Sequence, residues 1–372
     1  MRLFIGLSVF IIYILFYSFA RAAIIPPMDR VDNVEKRFDR MEVDSDLIIW
    51  SRQVAAADST NPTKWRTNAW ICTSSTDNTF GRCTTTVRWG GPTGESPIDL
   101  RFVESNTKAE VVLHVMASKS LYNSEGDNPW NVWKQLTWQM GVATNIIGVE
   151  YDGVGINARI PSEQLKKIPS GGRWVATLKL RQMQWSPAQQ VSEFSANIVL
   201  NVTDKYGIQI YLPEFTNAAP QVDLRLRRIL GRGSVSGVSA VDMCLYDGYN
   251  SQSTWFDVTV SDGMTVAGRN PGSYSVWREG DSSGEFSKRI DYNVSLAYGG
   301  QKIPLVNNQT VRLTGVNNSQ GRSVSLPGIS VPVICTPTLL TLETPEFPLV
   351  LKQPANYKGN LRITFSPSSA NL

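Results

Sequence analysis

Apolar and polar positions alternate with period two through most of the chain beyond residue 100. The runs AEVVLHVMAS, RWVATLKLRQM, SANIVLNVT, GIQIYLPEF, VDLRLRRIL, AVDMCLYD, STWFDVTVSD, DYNVSLAYGG and GISVPVIC are separated by segments rich in Gly, Asn, Asp, Ser and Pro. Period two sends successive side chains to opposite faces, so each run predicts a strand with one face buried. Helical periodicity is almost absent; IPSEQLKKIPSGG offers one or two turns. Many short strands at this spacing predict an all-β protein built from β-sandwiches. The final run, NYKGNLRITFSPSSANL, alternates through Tyr357, Gly359, Leu361, Ile363 and Phe365 and stops at Pro367, which predicts one half-buried strand. Such a strand needs neighbours on both edges, or it offers an unpaired ladder to another chain.

A length of 372 residues favours two or three domains. One strand run ends and another begins around NVTDKYG, which divides the chain into residues 23–204, a short linker at 205–206, and residues 207–372. The two parts differ in composition, since nine of the eleven tryptophans precede residue 204. Large amphipathic rings serve recognition as well as packing, so the first domain is the one expected to carry contacts.

The N-terminus changes the picture further. MRLFIGLSVFIIYILFYSFARA, residues 1–22, has a positive start, an apolar stretch and the small-residue end Ala20-Arg21-Ala22, the pattern of a signal peptide cleaved before Ala23. Its apolar stretch is also long enough to serve as an uncleaved anchor. An even set of cysteines in an exported chain reads as disulfides, with Cys72 and Cys83 closing a short loop and Cys244 and Cys335 left for each other. Without a C-x-x-C pair or a histidine partner, zinc has no ligand set here.

Charge excludes one class of partner. A net charge of +4 is too weak for nucleic acid, and in the densest basic run, RLRRILGR, Arg225 and Arg227 alternate with Leu224 and Leu226 as on the solvent face of a strand. Catalytic signals are equally thin. GDSSG, residues 280–284, approaches the motif around a serine-protease nucleophile, but His114 is the chain's only histidine and lies within a strand-like run. Glu150 and Asp152 flank Tyr151, and nothing in the sequence sets them at a glycosidase spacing. The chain reads as a binding or structural protein, not an enzyme, with no cofactor and no metal.

Five strings in order, IPSEQLKKIPSGGRWVATLKL, NIVLNVTDKYGIQIYLPEF, AVDMCLYDGYN, ISVPVIC and YKGNLRITFSPSS, resemble the class 5 fimbrial tip adhesins and CblD-like pilus-biogenesis initiators. That family includes the minor tip subunit of colonization factor antigen I fimbriae. The similarity is continuous from about residue 158 onward and weaker over residues 65–157, where the Cys72–Cys83 spacing also looks like the family's. The resemblance implies two immunoglobulin-like β-sandwich domains. The N-terminal one is an adhesin; the C-terminal one is an incomplete pilin fold completed by a donor strand from another subunit. Tyr357, Leu361, Ile363 and Phe365 would border the donor-strand groove. A periplasmic chaperone would fill it first, and the N-terminal extension of a major pilin subunit would replace the chaperone at the outer-membrane usher, a form of strand addition. A donor burying four or five apolar side chains at ~1.5–3 kcal/mol each would contribute roughly 6–15 kcal/mol, comparable to a domain's net stability.

The same resemblance implies export through the periplasm to a fimbrial tip at the cell surface. The segment AIIPPMDRVDNVEKRFDRMEVDSD, Pro-broken and charged, does not read as an alternating donor strand, which fits a subunit that accepts a strand and offers none. Receptor binding in the family is attributed to arginines in the adhesin domain. Here Arg66 falls one position from the first of them, while Gln184 and Trp185 occupy the places of an adjacent pair and Arg181 lies three residues earlier. These four residues are the candidate site for a host glycan or glycoprotein receptor. The other readings are a pilus initiator without receptor activity and an exported glycan-processing enzyme, which would need paired acids in a cleft.

Overall fold

The computed structural model describes residues 23–124, 133–144, 151–217, 219–281 and 283–371, with side chains to residue 369. The signal-peptide segment and Glu150 lie outside the described residues. Among the described residues no helix is long and apolar enough to cross a membrane. Among the described residues the fold is all-β, with helical structure limited to single turns such as Thr63–Arg66 and Ser162–Leu165.

In the first domain one sheet runs, in spatial order, Ile24–Ile25, Leu47–Asp58, Gly153–Ile160, Glu110–Tyr122, Ser96–Glu104, Gly172–Gln184, Gln189–Thr203 and Arg30–Asp39. Ala69–Cys72 pairs with Gly172–Gln184 off this path. Alternation decides which side is inside: Ile98, Leu100 and Phe102 on one strand, and Leu113 and Val115 on its neighbour, have no exposure. The sheet curls so that its far ends meet. Trp50, from near one end, contacts Phe194, from near the other, edge-on at a centroid distance of 5.8 Å.

The N-terminal segment corrects the sequence reading. Arg30–Asp39 is a strand paired in parallel with Gln189–Thr203, from Arg30 opposite Phe194 to Asp39 opposite Thr203. Val34 and Phe38 pack against the core. Two polar residues share their face and disguise the alternation. Asp32 accepts a hydrogen bond from Trp50 Nε1 at 2.7 Å, and the Lys36 amine donates to Ser45 Oγ at 2.8 Å.

The second domain packs a large sheet against a small one. The order in the first is Gln209–Tyr211, Ser234–Tyr246, Val333–Pro348, Arg289–Tyr298, Tyr274–Arg278 and Tyr357–Lys358; the second runs Thr310–Thr314, Trp255–Ser261 and Arg362–Pro367. Met243, Leu245 and Leu296 from one sheet and Phe256, Val258 and Val260 from the other form its core. Both disulfides are formed, Cys72–Cys83 and Cys244–Cys335.

Two local expectations change. The run from Tyr357 to Phe365 is two strands: Tyr357–Lys358 pairs with Tyr274–Arg278 in the large sheet, and Arg362–Pro367 joins the small one. The chain crosses between sheets over residues 359–361, and the alternation persists because both sheets face one core. The basic run is strand only at Leu226–Ile229; Arg225 has φ 51° and Leu226 is exposed with the arginines.

The domains meet through backbone-directed hydrogen bonds. Asp204 N donates to Gly248 O at 2.9 Å, Asn106 Nδ2 to Asn250 O at 2.9 Å, and Asn250 Nδ2 to Gly171 O at 2.8 Å. Asp247, buried beside this junction, accepts from the backbone amides of Tyr249, Ser251 and Ser253 and fixes the loop that makes the contacts. Burial raises its carboxyl above the ordinary range, against the pull of those amides.

Candidate functional site

One edge of the second domain is built differently from the rest. Arg362–Pro367 pairs with Trp255–Ser261, from Phe256 opposite Pro367 to Ser261 opposite Arg362, and stands last in its sheet. Among the described residues no ladder lies along its other edge. Its inward residues Ile363 and Phe365 are only half-buried, whereas Phe256, Val258 and Val260 on the paired strand have no exposure. Ile210, Leu212, Phe215, Val222, Leu224 and Leu361 are also partly covered while packing on the same core. The core of this domain is thus complete in the middle and thinly roofed along one side. Tyr357 stands apart from that side, in the large sheet, with its hydroxyl donating to Gln353 O at 2.6 Å.

The four residues named for the first domain share one region of the fold without converging on one pocket. Ala69–Cys72 runs antiparallel to the end of Gly172–Gln184, with Ile71 opposite Arg181 and Ala69 opposite Met183. Arg66, in the turn before Ala69, is 8% exposed, and its guanidinium donates to Tyr151 O at 3.3 Å. Arg181 is half-buried and donates to Cys72 O at 3.2 Å. Gln184 shapes a hairpin end, donating from Nε2 to Ser186 O at 3.0 Å. Trp185 is half-buried against Trp89, the centroids 5.5 Å apart and the planes inclined by 42°.

Sequence reasoning missed Trp89. It lies in Arg88–Trp89, which pairs in parallel with Val142–Ala143, and its indole is 51% exposed. It missed Lys119 as well, which faces inward at 1% exposure with no hydrogen-bond partner for its amine among the described residues; burial pushes its pKa down to about 7. A shallow depression of about 420 Å³ crosses the outer face of the same domain, lined by Arg52, Glu95, Lys134, Asn157 and Arg159 among others. Arg159 there is held between Asp46 and Glu95.

The residues raised as chemistry are placed elsewhere. Ser283 donates its hydroxyl to Asp281 at 2.6 Å in a second-domain turn, while His114 Nδ1 lies 2.7 Å from Asp99 in the first domain. Asp152 accepts from Ser124 N at 2.9 Å, which gives it a structural role in a loop. Among the described residues no group of three or more His, Cys, Asp or Glu side chains is gathered for a metal.

Comparison with known proteins covers both parts of the chain. Residues 19–205 match the family described as the first domain of CfaE, the E subunit of CFA/I fimbriae, and residues 208–369 match its second domain. The curated CFA/I fimbrial E subunit of Escherichia coli is 30% identical over 317 residues, which is 82% of this chain and 81% of that protein. The crystal structure of CfaE, described as the adhesive subunit of CFA/I fimbria of enterotoxigenic Escherichia coli, superimposes with a TM-score of 0.76. It has 26% identity and covers 92% of this chain and 94% of that one. A chaperone–tip adhesin complex from CFA/I fimbriae biogenesis also matches, with a TM-score of 0.68, 26% identity, and coverage of 92% and 98%.

Proposed function

The chain belongs to the CfaE family of CFA/I fimbrial proteins, and from that premise we propose that it is a fimbrial tip adhesin that accepts a donor strand and starts pilus assembly. One observation carries the assembly part. Ile363 and Phe365 remain half-covered beside fully buried Phe256, Val258 and Val260, at an edge with a free ladder among the described residues. A donor strand laid on that edge supplies both missing halves, apolar cover and backbone hydrogen bonds. The periplasmic chaperone provides it first and a major pilin subunit afterwards, at the outer-membrane usher. The relative solved as a chaperone–tip adhesin complex supports the chaperone.

The segment Arg30–Asp39 supports the terminal position. It is built into its own domain along Gln189–Thr203, so that stretch is not offered to a neighbour. A protein that accepts without donating occurs once, at the distal end. The test is to fuse the major pilin's N-terminal extension behind Leu372 and compare thermal unfolding with the unfused chain. A rise in the second-domain transition of 10 °C or more is expected, since ~1 kcal/mol moves the Tm of a domain of this size by a few degrees. An unchanged transition would remove the donor-strand reading.

The receptor part assigns the first domain to a host glycan at the end of the sheet formed by Ala69–Cys72 and the close of Gly172–Gln184. Binding of the full chain to host cells tests it directly. One observation favours the second reading, an initiator without receptor activity: Arg66 and Arg181 both face backbone carbonyls inside the domain. The absence of any binding to cells or glycans would establish that reading instead.

A further inference from the structure

We propose that Trp89 and Trp185 together form the platform on which the first domain stacks the apolar face of a neutral pyranose ring. This rests on the adhesin reading and names its ligand class. It starts from an exposed indole in a rigid setting. Trp50, Trp65, Trp70, Trp138 and Trp174 are buried, and Trp89 is the one described tryptophan among the exposed large apolar side chains, at 51%. A flexible loop would make that ordinary. Here the backbone is clamped on both sides, with Arg88 N donating to Gly141 O at 2.9 Å and Gly90 N to Ala143 O at 2.8 Å. Gly91 sits so close to Val142 that a Cβ would lie 2.8 Å from its Cγ2. Upstream, Cys72 N donates to Thr84 O at 2.9 Å, and the Cys72–Cys83 disulfide anchors the segment.

Trp185 reaches the same place from another part of the chain, the end of the hairpin joining Gly172–Gln184 to Gln189–Thr203. At 5.5 Å and 42° the rings touch and brace each other without stacking flat. A preorganised, amphipathic ring surface loses little entropy on binding, and tryptophan is enriched among the residues that carry binding energy at recognition surfaces.

The charge pattern selects the sugar class. Recognition of a sialic acid carboxylate by arginine uses an outward-facing guanidinium fork. Arg66 is 8% exposed and directed at Tyr151 O, and Arg181 is directed at Cys72 O. Arg88, exposed beside Trp89, lies with its guanidinium against Gly91, where a Cβ would stand 3.1 Å from Nε, and the paired rings next to it fit the CH face of an uncharged hexose.

The test uses the full mature chain on an array carrying the same glycan cores with and without terminal sialic acid. The wild type is expected to bind uncharged cores and to keep binding after sialidase treatment. Trp89→Ala and Trp185→Ala should each weaken binding about tenfold or more, while Trp89→Phe, which retains a ring, keeps most of it. Thermal unfolding should be nearly unchanged for Trp89→Ala, since the indole is half in water. Binding that survives both alanine substitutions, or that requires sialic acid, overturns the platform and leaves the adhesin reading standing. A wild type that binds neither the array nor host cells removes both.

Discussion

Phe365 on the last strand meets Phe256 on its neighbour edge-on, with ring centroids 4.8 Å apart and planes at 80°. The pair ties the thinly roofed edge to the finished core, because Phe256 has no exposure and Phe365 is half-buried. Phe365→Ala is expected to lower the unfolding free energy of the second domain by about 2–3 kcal/mol, and Phe256→Ala by about 3–5 kcal/mol, the ordinary range for a buried phenylalanine. Urea midpoints of the two variants check the order. If a donor strand covers this edge as proposed, Phe365 should become as buried as Phe256, and the two losses should converge.

Lys119 links the first domain's stability to pH. Its amine titrates near 10.5 in the unfolded chain and near 7 in the fold, where burial disfavours the charge. Between those values the unfolded state holds more protons, so stability rises as the pH is raised from about 7 towards 10.5, and below 7 the full penalty is present. Lys119→Met removes a buried amine that has no partner among the described residues and should stabilise the domain at neutral pH by about 1–3 kcal/mol. It should also flatten the rise in Tm between neutral and alkaline pH. A variant that unfolds at a lower temperature at every pH would show that the amine has a partner in solution.

The division into two all-β domains was legible because alternation with period two is a local signal. Ile98, Leu100 and Phe102 report their inward face within one short run. The same signal misled at the last strand, where Tyr357 and Phe365 keep in phase although they belong to different sheets, because both sheets face one core. It was hidden in Arg30–Asp39, where Asp32 and Lys36 occupy inward positions at a sheet edge and find polar partners there. At the candidate site the arginines were visible by position, but their direction was not. Whether Arg66 points to solvent or to Tyr151 O depends on a partner far along the chain. Trp89 gave no periodic signal, since its strand has two residues and its neighbours, Ala143 and Trp185, are remote in sequence. Gly91 behind it was a local mark of the close approach to Val142.

The junction between the domains turns on two glycines. A Cβ at Gly171 would stand 1.9 Å from Gly248 O, a backbone atom that cannot swing aside as a side-chain tip can. Gly171→Ala should therefore displace the 247–253 loop and break the Asn250 Nδ2 to Gly171 O bond, at a cost of about 2 kcal/mol. Thermal unfolding of the full chain measures the loss, and small-angle scattering reads any change in the angle between domains. A variant with both unchanged would show that the junction gives way without resistance.

The two disulfides should separate stability from recognition. Cys244–Cys335 has a sequence separation of 91 and joins adjacent strands in a small buried cluster with Tyr246, Leu326 and Val333, where both residues have no exposure. On the chain-entropy model a loop of that length contributes about 4.5 kcal/mol, against about 3 kcal/mol for the 11-residue separation of Cys72–Cys83. Replacing Cys244 and Cys335 by serine is thus the costlier change for unfolding. Cys72 and Cys83, however, hold the segment that leads to Trp89 and face the end of Gly172–Gln184, with Cys72 opposite Leu180. The double serine variant at 72 and 83 should lose less stability and more glycan binding than the double variant at 244 and 335, when each is compared below its own unfolding transition. If both lose binding only in proportion to unfolded protein, the shorter loop has no part in holding the platform.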